Sequence, residues 1–159
     1  MRVIESLGQL EELVGQEVAV GEWVEVTQEQ VNLFADATGD HQWIHVDVER
    51  SKRESPYGAP IAHGYLTLSL IPLLMKKAIE MRNVKMGVNY GLNRVRFMAP
   101  VPVGSRLRAR AKLLSVESIE SPKNRPDLKG AQVIMQVTVE REGSDRPVCV
   151  AETISRRFS

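Results

Sequence analysis

The stretch IAHGYLTLSLIPLLM, residues 61–75, decides the fold. It carries no formal charge, and its leucines recur at the spacing of one face of a helix. The stripe consists of Leu66, Leu70, Leu73 and Leu74. Neighbouring apolar residues widen this stripe, so the helix has to be buried on most of its sides. We predict one main helix over Ala62–Met81, with a kink or a lost backbone hydrogen bond at Pro72.

Alternating apolar and polar residues follow Gly87 and predict strands that surround this helix. The predicted strands cover residues 88–98, 105–116, 131–141 and 148–158. We expect them to be connected like a meander, with Glu142–Asp145 as a hairpin-like connection. A buried helix needs a curved antiparallel sheet around it, so the chain predicts an α+β fold with the sheet wrapped around a central helix.

The segment before the central helix predicts a rigid support for polar side chains. Residues 4–14 have the spacing of a short amphipathic helix, and residues 17–26 that of a strand. Thr27, with Gln30 three residues later, forms a capping-box pattern, and Gly39 is suited to end the helix between them. The loop that begins at Asp40 therefore starts where a packed helix ends.

Composition limits the partners that this chain is expected to have. Its 159 residues predict a single domain over 1–159, and its net charge of +1 gives no reason to expect nucleic acid. The uncharged segment 56–75 contains too many prolines, glycines and polar residues for a membrane span. Cys149 is the single cysteine, and the N-terminal residues lack the apolar core of a signal peptide. We therefore expect a cytoplasmic protein without disulfides.

Asp40 and His45 are the first candidates for catalysis, because a carboxylate and an imidazole on one short segment can share a water molecule. The alternative is that Asp40 caps a turn and His45 fills a surface pocket. Two apolar residues, Trp43 and Ile44, interrupt the polar segment between them and indicate that it folds onto the core. Such an environment can tune proton affinities.

His63 and Gly64 precede the central helix and suggest a site for negative charge. A glycine in a first helical turn costs stability, but it exposes N–H groups that can stabilise a carbonyl oxygen as it becomes negative. Close packing of the helix explains Gly64 equally well. For His63 we favour a structural role, since a second catalytic base is not required.

Several other chemistries are not indicated. There is no Rossmann or phosphate-binding glycine loop, no Gly-x-Ser-x-Gly elbow, and no metal-ligand spacing among the three histidines, so we expect no metal. Cys149 lies in an alternating segment and fits packing better than nucleophilic chemistry. The arginines of residues 106–112 alternate with apolar residues, which favours a solvated sheet face over a polyanion site.

Three sequence blocks carry a resemblance to a known family. They are Phe34-Ala35-x-x-x-Gly39-Asp40-x-x-x-Ile44-His45-x-Asp47, Ile61-Ala62-His63-Gly64, and Val95-Arg96-Phe97-x-x-Pro100-Val101. In order and spacing the chain resembles the MaoC-like dehydratases, which include the R-specific enoyl-CoA hydratases. Residues 39–47 and 89–93 resemble the branch named after nodulation protein N. Many members have Asn-Pro where this chain has Gln42-Trp43, which affects the expected acyl-chain preference rather than the reaction.

The resemblance implies a hot-dog fold, a homodimer that joins two sheets, and an acyl-CoA thioester substrate. It implies that Asp40 and His45 are the catalytic pair and that the Gly64 N–H belongs to an oxyanion hole. The expected reaction is hydration of trans-2-enoyl-CoA to (R)-3-hydroxyacyl-CoA, or the reverse, without a cofactor beyond the coenzyme A of the substrate. Further candidates for substrate binding are Trp43, His63, Tyr65, Asn89 and Asn93.

Two other functions remain compatible with the sequence. A hot-dog thioesterase would act on the same substrates and release a free thiol. A non-catalytic acyl-CoA-binding module would bind without turnover and would not need Asp40, His45 and Gly64 together.

Overall fold

The structure is a computed structural model and describes residues 1–159. The helices are α1 (Leu7–Glu11), α2 (Gln28–Thr38), α3 (Trp43–Val46), α4 (Val48–Glu54), α5 (Gly64–Ser69) and α6 (Ile71–Lys76). The strands are β1 (Arg2–Ile4), β2 (Glu17–Val20), β3 (Val24–Glu25), β4 (Ile79–Met81), β5 (Met86–Arg96), β6 (Arg106–Ile119), β7 (Gly130–Arg141) and β8 (Cys149–Phe158).

Helix α2 has the two ends that the sequence predicts. The Thr27 side chain accepts a hydrogen bond from the Gln30 N–H, and the Gln30 side chain accepts one from the Thr27 N–H, which completes the capping box. Gly39 ends the helix in the left-handed conformation, at φ 81°. Asp40 therefore leaves the helix in a direction that the backbone of Gly39 sets.

The central helix is shorter than predicted and is divided into two pieces. Helix α5 ends at Ser69 and α6 begins at Ile71, with Pro72 in its first turn, where no backbone N–H is needed. The prediction that the helix continues to Met81 is wrong, because residues 79–81 form β4 and pair in parallel with β1. No helix in the structure is both long and apolar enough to cross a membrane.

The predicted strands all form, but their order differs from a meander. The main sheet has the order β2-β6-β7-β8-β5, with β3 also paired to β6. Strand β5 therefore crosses to the far edge and pairs antiparallel with β8 instead of β6. The connection at Glu142–Asp145 joins β7 to β8 as predicted, with Gly143 at φ 77°.

The core lies between the concave face of this sheet and the helices α5 and α6. Every second residue of β7 is buried on that face. Leu66, Ile71 and Leu74 supply the helical side, and Leu107 and Leu113 of β6 pack within the same cluster. Burial of each such side chain contributes about 1.5–3 kcal/mol, which fixes α5 against the sheet.

The structure corrects the predictions for the first helix and the first strand. Residues 2–4 form β1, so the predicted helix over residues 4–14 shrinks to Leu7–Glu11. The predicted strand over residues 17–26 is interrupted at residues 21–23 and becomes β2 and β3. A Cβ at Gly21 would lie 3.1 Å from the Leu74 carbonyl oxygen, so the chain approaches α6 closely where the strand breaks.

The arginines of β6 lie on a solvated sheet face, as predicted. Arg108 donates to Glu140 at 2.6 Å, and Arg110 donates to both Glu140 and Glu17. Burial alone would raise the pKa of Glu140, but the hydrogen bonds from the two arginines outweigh it and lower that pKa. These cations are already paired across strands, which leaves little charge for a polyanion.

Candidate active site

His45 is held in one orientation and one tautomer. It lies in the single turn α3, and its Nδ1–H donates to the main-chain oxygen of Ile61 at 2.6 Å. The Ile61 N–H in turn donates to the Ile44 oxygen at 3.0 Å, so the two segments hold each other. Because Nδ1 carries the proton, Nε2 keeps its lone pair and can accept one.

The surroundings of His45 keep it neutral. Its exposed fraction is 7%, and burial lowers its pKa below the ordinary value of 6.5. The Ile61 carbonyl and the Asp40 charge act in the opposite direction, while His63 lowers the pKa further. A neutral imidazole with a free Nε2 is the form that a general base needs.

Asp40 projects from the end of α2 and is exposed. Its Oδ1 accepts a hydrogen bond from the Gln42 N–H at 3.3 Å, an Asx turn that orients the carboxylate. One side-chain atom each of Asp40, His45 and His63 lie within 4.8 Å of one another. Two acceptors at that separation can both contact one water molecule, because each hydrogen bond spans roughly 2.8 Å.

His63 joins the two predicted catalytic residues. It is 2% exposed, its Nε2–H donates to the Asp40 main-chain oxygen at 2.9 Å, and its ring stacks on that of His45 at 3.8 Å. Its Nδ1 is buried without a hydrogen-bond partner. The favoured structural role for His63 thus has a specific form: it ties the Asp40 segment to the start of α5.

A metal shared by these three residues does not fit the ring geometry. The planes of His45 and His63 differ by 24°, so their in-plane lone pairs run in nearly parallel layers. A metal ion needs both lone pairs to point at one centre at about 2.0–2.1 Å.

Gly64 starts α5, and the N–H groups of Gly64 and Tyr65 make no backbone hydrogen bond. A Cβ at Gly64 would lie 2.9 Å from the Phe97 ring, so close packing also requires glycine here. Close packing against Phe97 is therefore one reason for glycine at this position. The same packing leaves the N–H groups of Gly64 and Tyr65 without hydrogen-bond partners.

A cavity of about 380 Å³ lies beside Gly64 and Phe97. Its walls are mostly apolar and include Ile61, Val101 and Val148. The exposed Tyr65 ring is perpendicular to that of Phe97 at 5.8 Å, but Tyr65 does not line the cavity. Asp40, His45 and His63 do not line it either. The volume and apolar walls suit an acyl group whose carbonyl lies at Gly64.

Three predicted substrate-binding residues lie elsewhere. Trp43 packs under the Arg50 guanidinium at 4.3 Å, Asn93 donates to Glu152 at 2.6 Å, and Asn89 lines a separate cavity beside α6. None of the three lines the cavity at Gly64. Polarity within a strand makes Asn89 and Asn93 candidates, but the sequence does not reveal which side of a bulged edge strand each residue faces.

Two supporting residues were missed from the sequence. Gln28 Nε2 donates to the His45 main-chain oxygen at 2.8 Å, and the Ile61 carbonyl fixes the His45 tautomer. Gln28 is the first residue of α2, and the capping box uses only its neighbours Thr27 and Gln30. The capping pattern therefore gives no signal for the role of Gln28. A main-chain acceptor such as Ile61 leaves no signal in residue identity.

Comparison with known proteins agrees with this architecture. A family model described as the MaoC like domain matches residues 9–133. The chain belongs to the MaoC-like domain family. This MaoC-like chain is 51% identical over 156 residues to the 3-hydroxyacyl-thioester dehydratase Z of Mycobacterium tuberculosis, with 98% of each chain covered. It is 44% identical to nodulation protein N of Rhizobium leguminosarum bv. viciae over 94% of this chain and 89% of that protein.

Solved structures give the fold. The R-hydratase from Pseudomonas aeruginosa superposes with a TM-score of 0.69 at 22% identity, covering 96% of this chain and 88% of the other. A Mycobacterium tuberculosis protein described as a double hot-dog fold gives a TM-score of 0.61 at 16% identity, covering 91% of this chain and 41% of that one. The MaoC-like chain has the α+β hot-dog fold, as the resemblance implied.

Proposed function

We propose that this protein adds water to the trans-2-enoyl thioester of coenzyme A to give a 3-hydroxyacyl-CoA, and that it catalyses the reverse dehydration. The observation that carries the proposal is the neutral, tautomer-fixed His45 within 4.8 Å of the Asp40 carboxylate. Membership of the MaoC-like family and the 51% identity to a 3-hydroxyacyl-thioester dehydratase support the same reaction class.

In the hydration direction, Asp40 and His45 hold one water molecule. His45 Nε2 takes a proton from it as the water oxygen bonds to C3. The C2=C3 electron pair moves toward the thioester carbonyl and gives an enolate, and a proton then returns to C2 from the same side. Water is added without any net change in the protein, and Asp40 stabilises the transient imidazolium.

The enolate oxygen is the group that the start of α5 would stabilise. The free N–H groups of Gly64 and Tyr65 would donate to it, while the acyl chain lies against the apolar walls beside Phe97. A donor directed at charge that appears only in the transition state accelerates the chemical step. No cofactor is needed for these steps beyond the coenzyme A that the substrate carries.

We infer that the protein is a cytoplasmic homodimer that acts in acyl-CoA or fatty-acid metabolism. The support for a dimer is β5, an edge strand whose apolar side chains are exposed. These residues are Met86, Val88, Tyr90 and Leu92. Pairing two β5 edges would continue the sheet across a two-fold axis and cover them. The (R) configuration of the product is carried over from the hydratase relatives.

The test follows crotonyl-CoA by absorbance of the enoyl thioester, with a free-thiol assay in parallel. We expect the wild type to lose the enoyl band without thiol release, and Asp40→Asn and His45→Gln to be slower by ~10²–10⁴-fold. His41→Gln, an exposed histidine outside the pair, is the matched control and should keep full activity. Release of thiol would indicate a thioesterase, and folded variants with wild-type rates would refute the assignment.

A further inference from the structure

A second cavity, of about 420 Å³, lies between the end of α6 and the beginning of β5. It shares no lining residue with the cavity at Gly64. Its basic lining residues are Lys76, Lys85 and Arg157, and no aspartate or glutamate lines it. The cavity therefore combines positive charge with apolar walls. The proposed hydration steps involve none of its residues.

The concave face of the sheet changes from apolar on β7 to polar on β8 where it borders this cavity. On β7, residues Ala131, Val133 and Met135 are buried and apolar. Their partners on β8, which share the same face, are Arg157, Ser155 and Thr153. A polar strip on a face that is otherwise core costs folding energy unless it is hydrogen bonded or binds a polar group.

Arg157 is the cation in this strip, and it has no carboxylate partner. Its Nε donates to Ser155 Oγ at 3.3 Å, it forms no ion pair with a carboxylate, and burial lowers its pKa. A Cβ at Gly87 would lie 3.1 Å from Arg157 Nη1, so glycine leaves room for the guanidinium. Arg157 is partly buried on the wall of the cavity, and a partly buried guanidinium without a counter-charge favours an anion bound in that cavity.

The nearby acidic groups are already taken by other arginines. Asp127, which lies close enough to Lys85 to feel its charge, is bound by Arg125 at 2.7 Å. Glu5 and Glu80 are both bound by Arg82. Within one chain, no carboxylate side chain forms an ion pair with the Arg157 guanidinium.

We propose that this cavity binds the carboxylate end of an apolar chain, with Arg157 as its anchor. The carboxylate would pair with the free guanidinium nitrogens, and the chain would lie against Met75, Ile79 and Val137. Met75 of α6 follows Gly64 of α5 by eleven residues, so the two lie at most roughly 16 Å apart along this helical segment. The carboxylate can therefore come from a free fatty acid or from the far end of an acyl chain whose thioester lies at Gly64.

The test is calorimetric titration of the whole protein with decanoate and with decan-1-ol, which has the same chain length without charge. We expect the wild type to bind decanoate roughly 10-fold or more tightly than decanol, and Arg157→Met to lose that preference. Arg156→Met is the matched control, because Arg156 lies on the opposite face over the Tyr90 ring at 3.7 Å, and it should bind as wild type. Arg157→Lys keeps the cation and should retain most of the preference.

Equal binding of acid and alcohol by the wild type, or an undiminished preference in Arg157→Met, would overturn the proposal. If Arg157→Met fails to fold by thermal unfolding, Arg157→Gln provides the same comparison. The titration needs no turnover, so its outcome stands even if the hydratase proposal fails.

Kinetics identifies the source of the carboxylate. For this arm, which rests on the proposed function, enoyl-CoA substrates with and without a terminal carboxylate are compared in wild type and Arg157→Met. A preference for the carboxylate-bearing substrate that disappears in the variant assigns the site to the acyl chain. Unchanged substrate preference, with decanoate binding lost, assigns it to a free fatty acid.

Discussion

His63 donates from Nε2 to the main-chain oxygen of Asp40 while its ring lies 3.8 Å from that of His45. One buried side chain therefore touches both members of the proposed catalytic pair, which come from opposite ends of the segment between α2 and α4. Since His63 is also the residue before Gly64, it connects the pair to the N–H groups of α5. We assign His63 a positioning role.

Replacing His63 by phenylalanine keeps the ring and removes the hydrogen bond. We expect kcat to fall about 10-fold with KM little changed, because Asp40 loses its anchor, and stability to fall by about 1 kcal/mol. The pKa of His45 should rise, because His63 lowers it. Steady-state kinetics and an NMR titration of His45 measure these effects, with His41→Phe as control. An unchanged kcat together with an unchanged His45 pKa would limit His63 to packing.

The pH dependence of activity follows from the buried state of His45. Its pKa lies below 6.5 in the folded protein, so the neutral base persists at pH values where an exposed histidine is half protonated. We expect the acidic limb of kcat/KM to lie below pH 6.5. His41 provides an internal control in the NMR titration, since its hydrogen bond to Asp36 raises its pKa. An acidic limb at or above 6.5 would contradict the neutral-base assignment.

The lowered pKa of His45 also makes the free energy of unfolding depend on pH. The unfolded chain has the ordinary His pKa of 6.5 and binds its proton first as pH falls, so the contribution of His45 is complete above 6.5. It is lost between 6.5 and the lower pKa of the folded state. His45→Gln should therefore show a smaller loss of unfolding free energy over that interval than wild type, measured by urea denaturation.

The sequence predicts the features of the fold that depend on residues close together in the chain. Thr27, Gln30 and Gly39 define α2 because capping and a left-handed C-terminus need only neighbouring residues. The end of the central helix at Lys76 was not predictable in this way, because it depends on pairing of residues 79–81 with β1, far away in sequence. The crossing of β5 to β8 and the His63–Asp40 hydrogen bond are likewise long-range contacts. The pair Asp40–His45 was found because both members lie in one short segment.

Gly39 is expected to matter through its backbone alone. Its φ of 81° is unfavourable for side chains with a Cβ, and no atom lies within 4 Å of where a Cβ would be. Gly39→Ala should therefore cost about 1 kcal/mol of unfolding free energy, and Gly39→Asn less, because asparagine tolerates this conformation. Both are measured by chemical denaturation. Equal stability of the alanine variant and wild type would show that the turn has another conformation in solution.

Cys149 is expected to be inert in the folded protein. Its side chain is fully buried and burial raises its pKa to about 11, so neither access nor thiolate is available at neutral pH. A thiol reagent at pH 8 should label no cysteine in the native protein and one per chain in denaturant. The free-thiol assay for the enzymatic reaction is thus expected to have no background from the protein. Rapid labelling of the native protein would mean that β8 opens readily.

The exposed side of β5 gives the sharpest test of assembly. Replacing Val88 and Leu92 by lysine places charges on the edge that a second copy is proposed to cover, and sedimentation velocity should change from dimer to monomer. Val20→Lys is the matched control, since Val20 is an exposed valine on β2, the other edge of the sheet. It should leave the dimer intact. If the lysine pair leaves the dimer unchanged while Val20→Lys disrupts it, the sheets join through β2, and β5 has to be covered by something other than a second copy.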